Sequence, residues 1–164
     1  MVKVHLLSKR TKEDLIKRLK QSWPSSIELD DLEAIDVAEI DEQSDLLSSD
    51  HFKAVRLGNI YLPFLSYEKI LEHFPKVIVD AGAIRFICNG ANIMRPGITA
   101  FEGTFRKGDV VIVQEERHHK YVAVGLALLD SAEASKMQKG AVVENLHYVG
   151  DKLWEAHKLL SRSI

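Results

Sequence analysis

Apolar positions along the first 75 residues recur first at helical and then at alternating spacing. Leu15, Ile16, Leu19 and Trp23 share one helical face, with Thr11 and Asp14 as a capping pair ahead of them and Pro24 closing the run. The alternation in Ile35-Asp-Val-Ala-Glu-Ile40 predicts a strand. The polar stretch 43–50 reads as a loop. Residues 52–57 and 60–65 are apolar runs flanking Gly58-Asn59, a two-residue turn, and so predict a β-hairpin. Ser66 is placed to cap a short helix bearing Tyr67, Ile70, Leu71 and Phe74, which Pro75 stops.

Beyond Pro75 the spacing tightens. Val77-Ile-Val79 predicts a short buried strand. Asp80 then caps a helix that turns Ala83, Ile84 and Ile87 inward, and Gly90 ends it. Residues 92–95 read as a strand halted by Pro96-Gly97. Two long strands follow, 109–114 and 121–129, joined by the charged turn 115–120. Asp130 and Glu133 suit the start of a helix ending at Gly140, and 141–149 is the last strand. Asp151 caps a C-terminal helix with Leu153, Trp154, Leu159 and Leu160 inward. This pattern predicts an α+β fold: a small α+β domain over 1–75, a β-barrel with short helices over 76–155, and the end of a helix over 156–164.

Charge divides the chain. Residues 1–75 carry 10 Lys and Arg against 14 Asp and Glu, whereas 76–164 carry 12 against 10. A polyanion-facing surface is therefore expected in the second half, and the acidic first half is expected to hold a protein partner or to orient the barrel. The single cysteine, Cys88, excludes an intrachain disulfide and a cysteine-based zinc site, and its apolar neighbours suggest a buried thiol. No stretch reaches the roughly 20 apolar residues of a membrane span. The first ten residues have no signal-peptide core. A soluble, cytoplasmic protein without membrane contact is expected.

Four strings carry more specific information: Asp80-Ala-Gly-Ala-Ile-Arg-Phe86, Asn89-Gly-Ala-Asn-Ile-Met-Arg-Pro-Gly97, Glu144-Asn-Leu-His-Tyr148 and Asp151-Lys-Leu-Trp154. With the order of elements around them, they resemble the two ends of a PUA domain, a small β-barrel that binds structured RNA. They are most similar to the malignant-T-cell-amplified-sequence family and its archaeal relatives, whose N-terminal domain also ends in an aromatic-Pro stretch like Phe74-Pro75. The resemblance is dense from about residue 63 to 155 and thin before it. It implies a PUA-type barrel behind a pre-PUA domain, and a non-enzymatic role on tRNA, rRNA or the small ribosomal subunit in translation initiation or recycling. An initiation-factor-like protein is the implied partner. The extra cysteines of some eukaryotic relatives are missing, so any metal or redox feature tied to them does not carry over.

Residues suited to RNA contact cluster between the two glycines. Gly90, Ala91, Asn92, Met94, Pro96 and Gly97 offer exposed backbone and small side chains to a closely approaching nucleic acid. Arg85, Arg95, Arg106, Lys107 and, more weakly, Lys139 are candidate phosphate contacts. Two other readings stand beside this one: an adaptor whose barrel is a scaffold, and an accessory subunit for RNA modification. Adjacent His118 and His119 would point to opposite faces of a strand, with no third ligand near, so no metal is expected. His147, Tyr148 and Trp154 are expected to pack. No phosphate loop, His-Glu metal motif or nucleophile elbow is present, Asp80 is accounted for as a helix cap, and neither catalysis nor a cofactor is expected.

Overall fold

In the computed structural model, which describes residues 2–162, the chain forms two separate sheets. The first is sequential and antiparallel: β1 (Lys3–Leu6), β2 (Asp36–Asp41), β3 (Ser44–Ser49), β4 (Phe52–Leu57) and β5 (Ile60–Pro63). α1 (Lys9–Ser22) joins β1 to β2 and buries Leu15 and Leu19. α2 (Glu68–Leu71) follows the hairpin and buries Ile70 and Leu71.

Three expectations need correction here, and one strand, β1, was not foreseen. The cap of α1 is Ser8, whose Oγ accepts the Thr11 N–H at 3.2 Å, so the helix begins earlier than the Thr11–Asp14 pair suggested. Residues 43–50 contain β3, not a loop: flanked by β2 and β4, this strand satisfies its backbone on both sides, and Leu46 and Leu47 are buried despite the polar company. β1 is a four-residue edge strand with every side chain exposed, which leaves no burial pattern to read. α2 starts at Glu68, and the residue at its cap position, Tyr67, makes no side-chain cap, so Ser66 does not play that part.

The second sheet curls into a half-barrel, in the order β7-β11-β10-β9-β6-β8. Its strands are β6 (Lys76–Val79), β7 (Ile93–Met94), β8 (Ile98–Glu102), β9 (Val110–Glu115), β10 (Tyr121–Ala127) and β11 (Ala141–Tyr148), and only the β6–β9 pair is parallel. α3 (Ile84–Ile87), α4 (Ser131–Lys136) and α5 (Lys152–Arg162) decorate it. β7 ends ahead of Pro96-Gly97, as expected, but a further strand follows directly. Arg95–Gly97 is one 3₁₀ turn, and β8 continues beyond it to pair with β6. Asp130 precedes α4 but gives its carboxylate to the Lys107 N–H, and α4 ends at Lys136 rather than Gly140. At Gly125 the β10–β11 register shifts, and a Cβ there would lie 1.8 Å from the Glu144 carbonyl oxygen. Only glycine allows the two strands to approach so closely.

Period-two alternation along β9 explains how the two parts join. Val111 and Val113 face the barrel core with Val77, Val79 and Val143, whereas Val110 and Ile112 face outward and enter the core of the first sheet and α1. His147, fully buried on β11, completes the joint. Its Nε2 accepts the Leu65 N–H at 3.3 Å and its Nδ1–H donates to Asp151 Oδ2 at 2.8 Å, which defines the tautomer. Asp151 also accepts the Tyr148 and Trp154 N–H groups and thereby caps α5. Burial alone would raise this carboxyl, but the bonds from His147 and the two backbone amides outweigh it and hold it below the usual carboxylate range. The Phe64 ring stacks on His147 at 5.0 Å and on Trp154 at 5.9 Å, and lies 4.6 Å from His157. Leu159, expected inward, is 67% exposed, because at about 100° per residue it falls about 120° around α5 from the buried Leu153.

Lys53 Nζ donates to His157 Nε2 at 2.9 Å, and burial, followed by the Lys53 charge, pushes this imidazole below its ordinary value of 6.5. The unfolded chain therefore takes up a proton at His157 before the folded one does. Thermal stability should be flat above the ordinary histidine range, fall as pH drops through about 6.5, and level off below the folded value. His157→Gln should remove that part of the slope in melting curves. His147→Ala should cost about 3 kcal/mol or more in denaturant unfolding, since it opens a cavity and strands both the Leu65 N–H and the Asp151 carboxylate.

Candidate nucleic-acid interface

β6 carries the chain out of the barrel core to Asp80, whose Oδ2 accepts the Gly82 N–H at 3.2 Å and starts the 3₁₀ turn Ala81–Ala83 that leads into α3. Asp80 is thus a cap, as expected. In α3, Ile87 is the buried anchor, which leaves Phe86 55% exposed, with the Arg85 guanidinium 4.7 Å from its ring centroid. Gly90, at φ 94°, reverses the chain beside Tyr148. Cys88 is half-buried rather than buried, although burial still pushes its thiol up.

Asn145 holds the loop that follows. Its Nδ2 donates to the Ile87 and Ala91 carbonyls, both at 2.9 Å, and its backbone N–H donates to Asn92 Oδ1 at 3.1 Å. β7 then buries Ile93 and leaves Met94 48% exposed. Gly97 does not sit at positive φ; a Cβ there would make a tight contact, 3.3 Å from the Ala83 Cβ. Between the two approaching segments runs a cleft of about 480 Å³, lined by Phe86, Ala91, Asn92, Met94, Pro96 and Gly97 among others.

The expected contacts therefore separate into groups. Ala91, Asn92, Met94, Pro96 and Gly97 line the cleft, Gly90 shapes it, and Arg85 flanks it. Arg95 is largely committed within the protein: Nε donates to the Ala134 carbonyl at 2.9 Å, Nη1 to Ile98 at 3.0 Å and Nη2 to Ser135 at 3.4 Å, and the guanidinium lies 5.3 Å from the Phe101 ring centroid. It ties α4 to the 95–98 turn. Lys139 is exposed next to Gly140, whose carbonyl accepts the Arg95 N–H at 2.8 Å. Arg106 and Lys107 do not line this cleft; Lys107 lines another, at the junction of the two sheets. His118 and His119 lie in the turn after β9 rather than in a strand, and His119 has φ 56°. Among the described residues no group of three His, Cys, Asp or Glu side chains is placed to hold a metal. Sequence reasoning missed Phe86 and Asn145. A bulky aromatic beside Ile87 reads as core, while a lone asparagine in the last apolar strand was the available signal for the staple.

Chemically the cleft offers two exposed apolar side chains, a narrow small-residue floor and one adjacent cation. That arrangement suits a flat, unpaired ring system followed by a charged backbone.

The PUA domain family model matches residues 75–149. An uncharacterized protein of Methanocaldococcus jannaschii is 47% identical over 78 residues, 48% of each chain. Translation machinery-associated protein 20 of Eremothecium gossypii is 30% identical over 122 residues, 65% of this chain and 67% of that one. Malignant T-cell-amplified sequence 2 of Mus musculus is 35% identical over 99 residues, 56% and 55% of the two chains. Apart from the Eremothecium protein, the chain spans about half the length of these curated relatives. A hypothetical protein of Pyrococcus horikoshii OT3 superposes with a TM-score of 0.78 at 26% identity, covering 94% of this chain and 99% of that one. A PUA-domain protein of Aeropyrum pernix K1, at 24% identity and a TM-score of 0.75 over 96% and 92% of the two chains, shares the fold. The half-barrel and the matched stretch thus define a PUA-domain protein. More narrowly, the chain belongs to the family of translation machinery-associated protein 20 and the malignant T-cell-amplified sequence proteins.

The loop's dependence on one side chain is testable. Asn145→Ala removes two hydrogen bonds to backbone carbonyls and should cost about 2 kcal/mol, a fall in Tm of about 4–8 °C for a chain of this size. Gly90→Val, forced to adopt positive φ, should cost about 1–3 kcal/mol by the same measurement.

Proposed function

We propose that this protein is a non-enzymatic RNA-binding protein of the translation apparatus that takes structured RNA, either tRNA or rRNA of the small ribosomal subunit, at the cleft between α3 and β7. The observation that carries the reading is the exposed pair Phe86 and Met94 over that cleft, with Arg85 against the Phe86 ring, inside the stretch that matches the PUA domain. An unpaired base stacks on the apolar pair, while Arg85 and Lys139 meet phosphates and Arg95 positions the turn. Relatives named translation machinery-associated proteins support a role in translation, and within it the proposed step is initiation or recycling, in the cytoplasm, beside an initiation-factor-like partner. No helix among the described residues is long and apolar enough to cross a membrane.

Fluorescence anisotropy with labelled unfractionated tRNA tests the reading. Phe86→Ala combined with Met94→Ala should weaken binding about tenfold, the loss of one stacked base, and leave the salt dependence intact. Arg85→Glu should instead reduce the magnitude of the log–log salt slope by about 0.7, the value for one phosphate of a single strand. Unchanged affinity in both variants would move the RNA site away from this cleft.

A further inference from the structure

Counting charge by halves of the chain hides a polarised N-terminal unit. α1 alone carries Lys9, Arg10, Lys12, Lys17, Arg18 and Lys20 against Glu13 and Asp14, so the acidic character of residues 1–75 lies wholly outside it. Lys9, Arg10 and Lys12 occupy the first helical turn, which holds no acidic residue. A helix N-terminus bears partial positive charge and disfavours cations, so helix stability does not account for them.

The cations of α1 differ in what they do. Lys12 Nζ donates to the Leu32 carbonyl and Lys20 pairs with Asp30, on one flank of the helix. At about 100° per residue, Arg10, Lys17 and Gln21 lie opposite the buried Leu15 and Leu19, with Arg18 on the other flank. Arg18 is held in place: Nη2 donates to the Asn59 carbonyl at 2.9 Å, and the guanidinium lies 5.1 Å from the Tyr61 ring centroid. Its Nε and Nη1 remain available. Arg18 lines a junction cleft of about 470 Å³ together with Gln21, Ser22, Asn59 and, from the loop between β8 and β9, Lys107. The carboxylate in that lining, Asp109, is taken up by the Arg106 N–H at 2.8 Å. The side chains of Lys17, Arg106 and Lys107 have no hydrogen bond or ion pair among the described residues.

This cleft is tied to the platform through α4. Asp130, at the start of α4, accepts the Lys107 N–H at 2.9 Å, while Ala134 and Ser135, near its end, accept the Arg95 guanidinium. α4 thus links the loop that carries Lys107 to the turn that follows the platform residue Met94.

We infer that α1 and the 106–108 loop form a second RNA contact, a strip of Arg10, Lys17, Arg18, Arg106 and Lys107 that takes the sugar–phosphate backbone of the RNA held at the Phe86–Met94 platform. Counting Glu13, Asp14 and Asp109 with them, five cations face three carboxylates and the strip stays positive. The inference rests on the RNA-binding reading and extends it. The N-terminal unit touches RNA through one basic helix, and its acidic remainder faces elsewhere.

The test is tRNA anisotropy across a salt series with the full chain carrying Lys17→Glu, Lys107→Glu, both together, Lys69→Glu or Phe86→Ala. Lys69, on α2 outside the strip, controls for net charge. Each strip reversal should weaken low-salt binding about fivefold or more and flatten the log–log slope by about 0.7, at unchanged Tm, with the pair adding. Lys69→Glu should change affinity less than about twofold, and Phe86→Ala should lower affinity with the slope preserved. Strip variants indistinguishable from Lys69→Glu would overturn the strip; a loss confined to Phe86→Ala would do so while leaving the platform standing. A wild-type chain that binds no tRNA overturns both.

Discussion

One buried imidazole fixes where everything else sits. His147 lies on the last barrel strand, yet its two ring nitrogens serve the chain leaving the first sheet, at Leu65, and the cap of α5, at Asp151. Each contact requires the other, because the nitrogen that accepts from Leu65 can do so only while the proton stays on the side facing Asp151. Phe64, stacked on this ring and on Trp154, converts a directional clasp into a packed one. A hydrophobic residue of equal volume would fill the space but leave the Leu65 amide unsatisfied.

The same strand supports the candidate site. Two residues before His147, Asn145 staples the α3–β7 loop, and Tyr148 backs the reversal at Gly90. The platform is therefore built by exclusion. Ile87 and Ile93 are drawn into the barrel, the loop between them is stapled from below, and Phe86 and Met94 are left outward on a rigid base. Exposed apolar side chains held in that way are preorganised for a ligand, which lowers the ordering cost that binding would otherwise carry.

Much of this was legible in the sequence. The hairpin predicted over 52–57 and 60–65, the β9–β10 pair and the Asp80 cap were readable because each combines period with punctuation, and the strings around Gly90 and Glu144 led to the fold through a family resemblance. β3 was hidden since its serines and aspartates read as loop, and only pairing on both sides makes a strand of them. β8 was hidden behind Pro96-Gly97, which ends β7 on β11 and sends the chain on to pair with β6 at the other edge of the sheet. Arg95 shows a different limit. A guanidinium beside an exposed turn looks available until the carbonyls of α4, forty residues on, are brought to it. Arg106 and Lys107 were singled out as candidate phosphate contacts, but sequence distance from Gly97 said nothing about which cleft Lys107 borders.

The double-sided burial of β9 bears on how the molecule comes apart. Val110 and Ile112 belong to one core and Val111 and Val113 to the other, on successive residues of a single strand. Opening either core exposes one face of β9 and loosens the ladder on which the other depends. The halves recognisable in the topology are thus not separate cooperative units, and a single unfolding transition, with no populated half-folded species, is the thermodynamic counterpart of that alternating quartet.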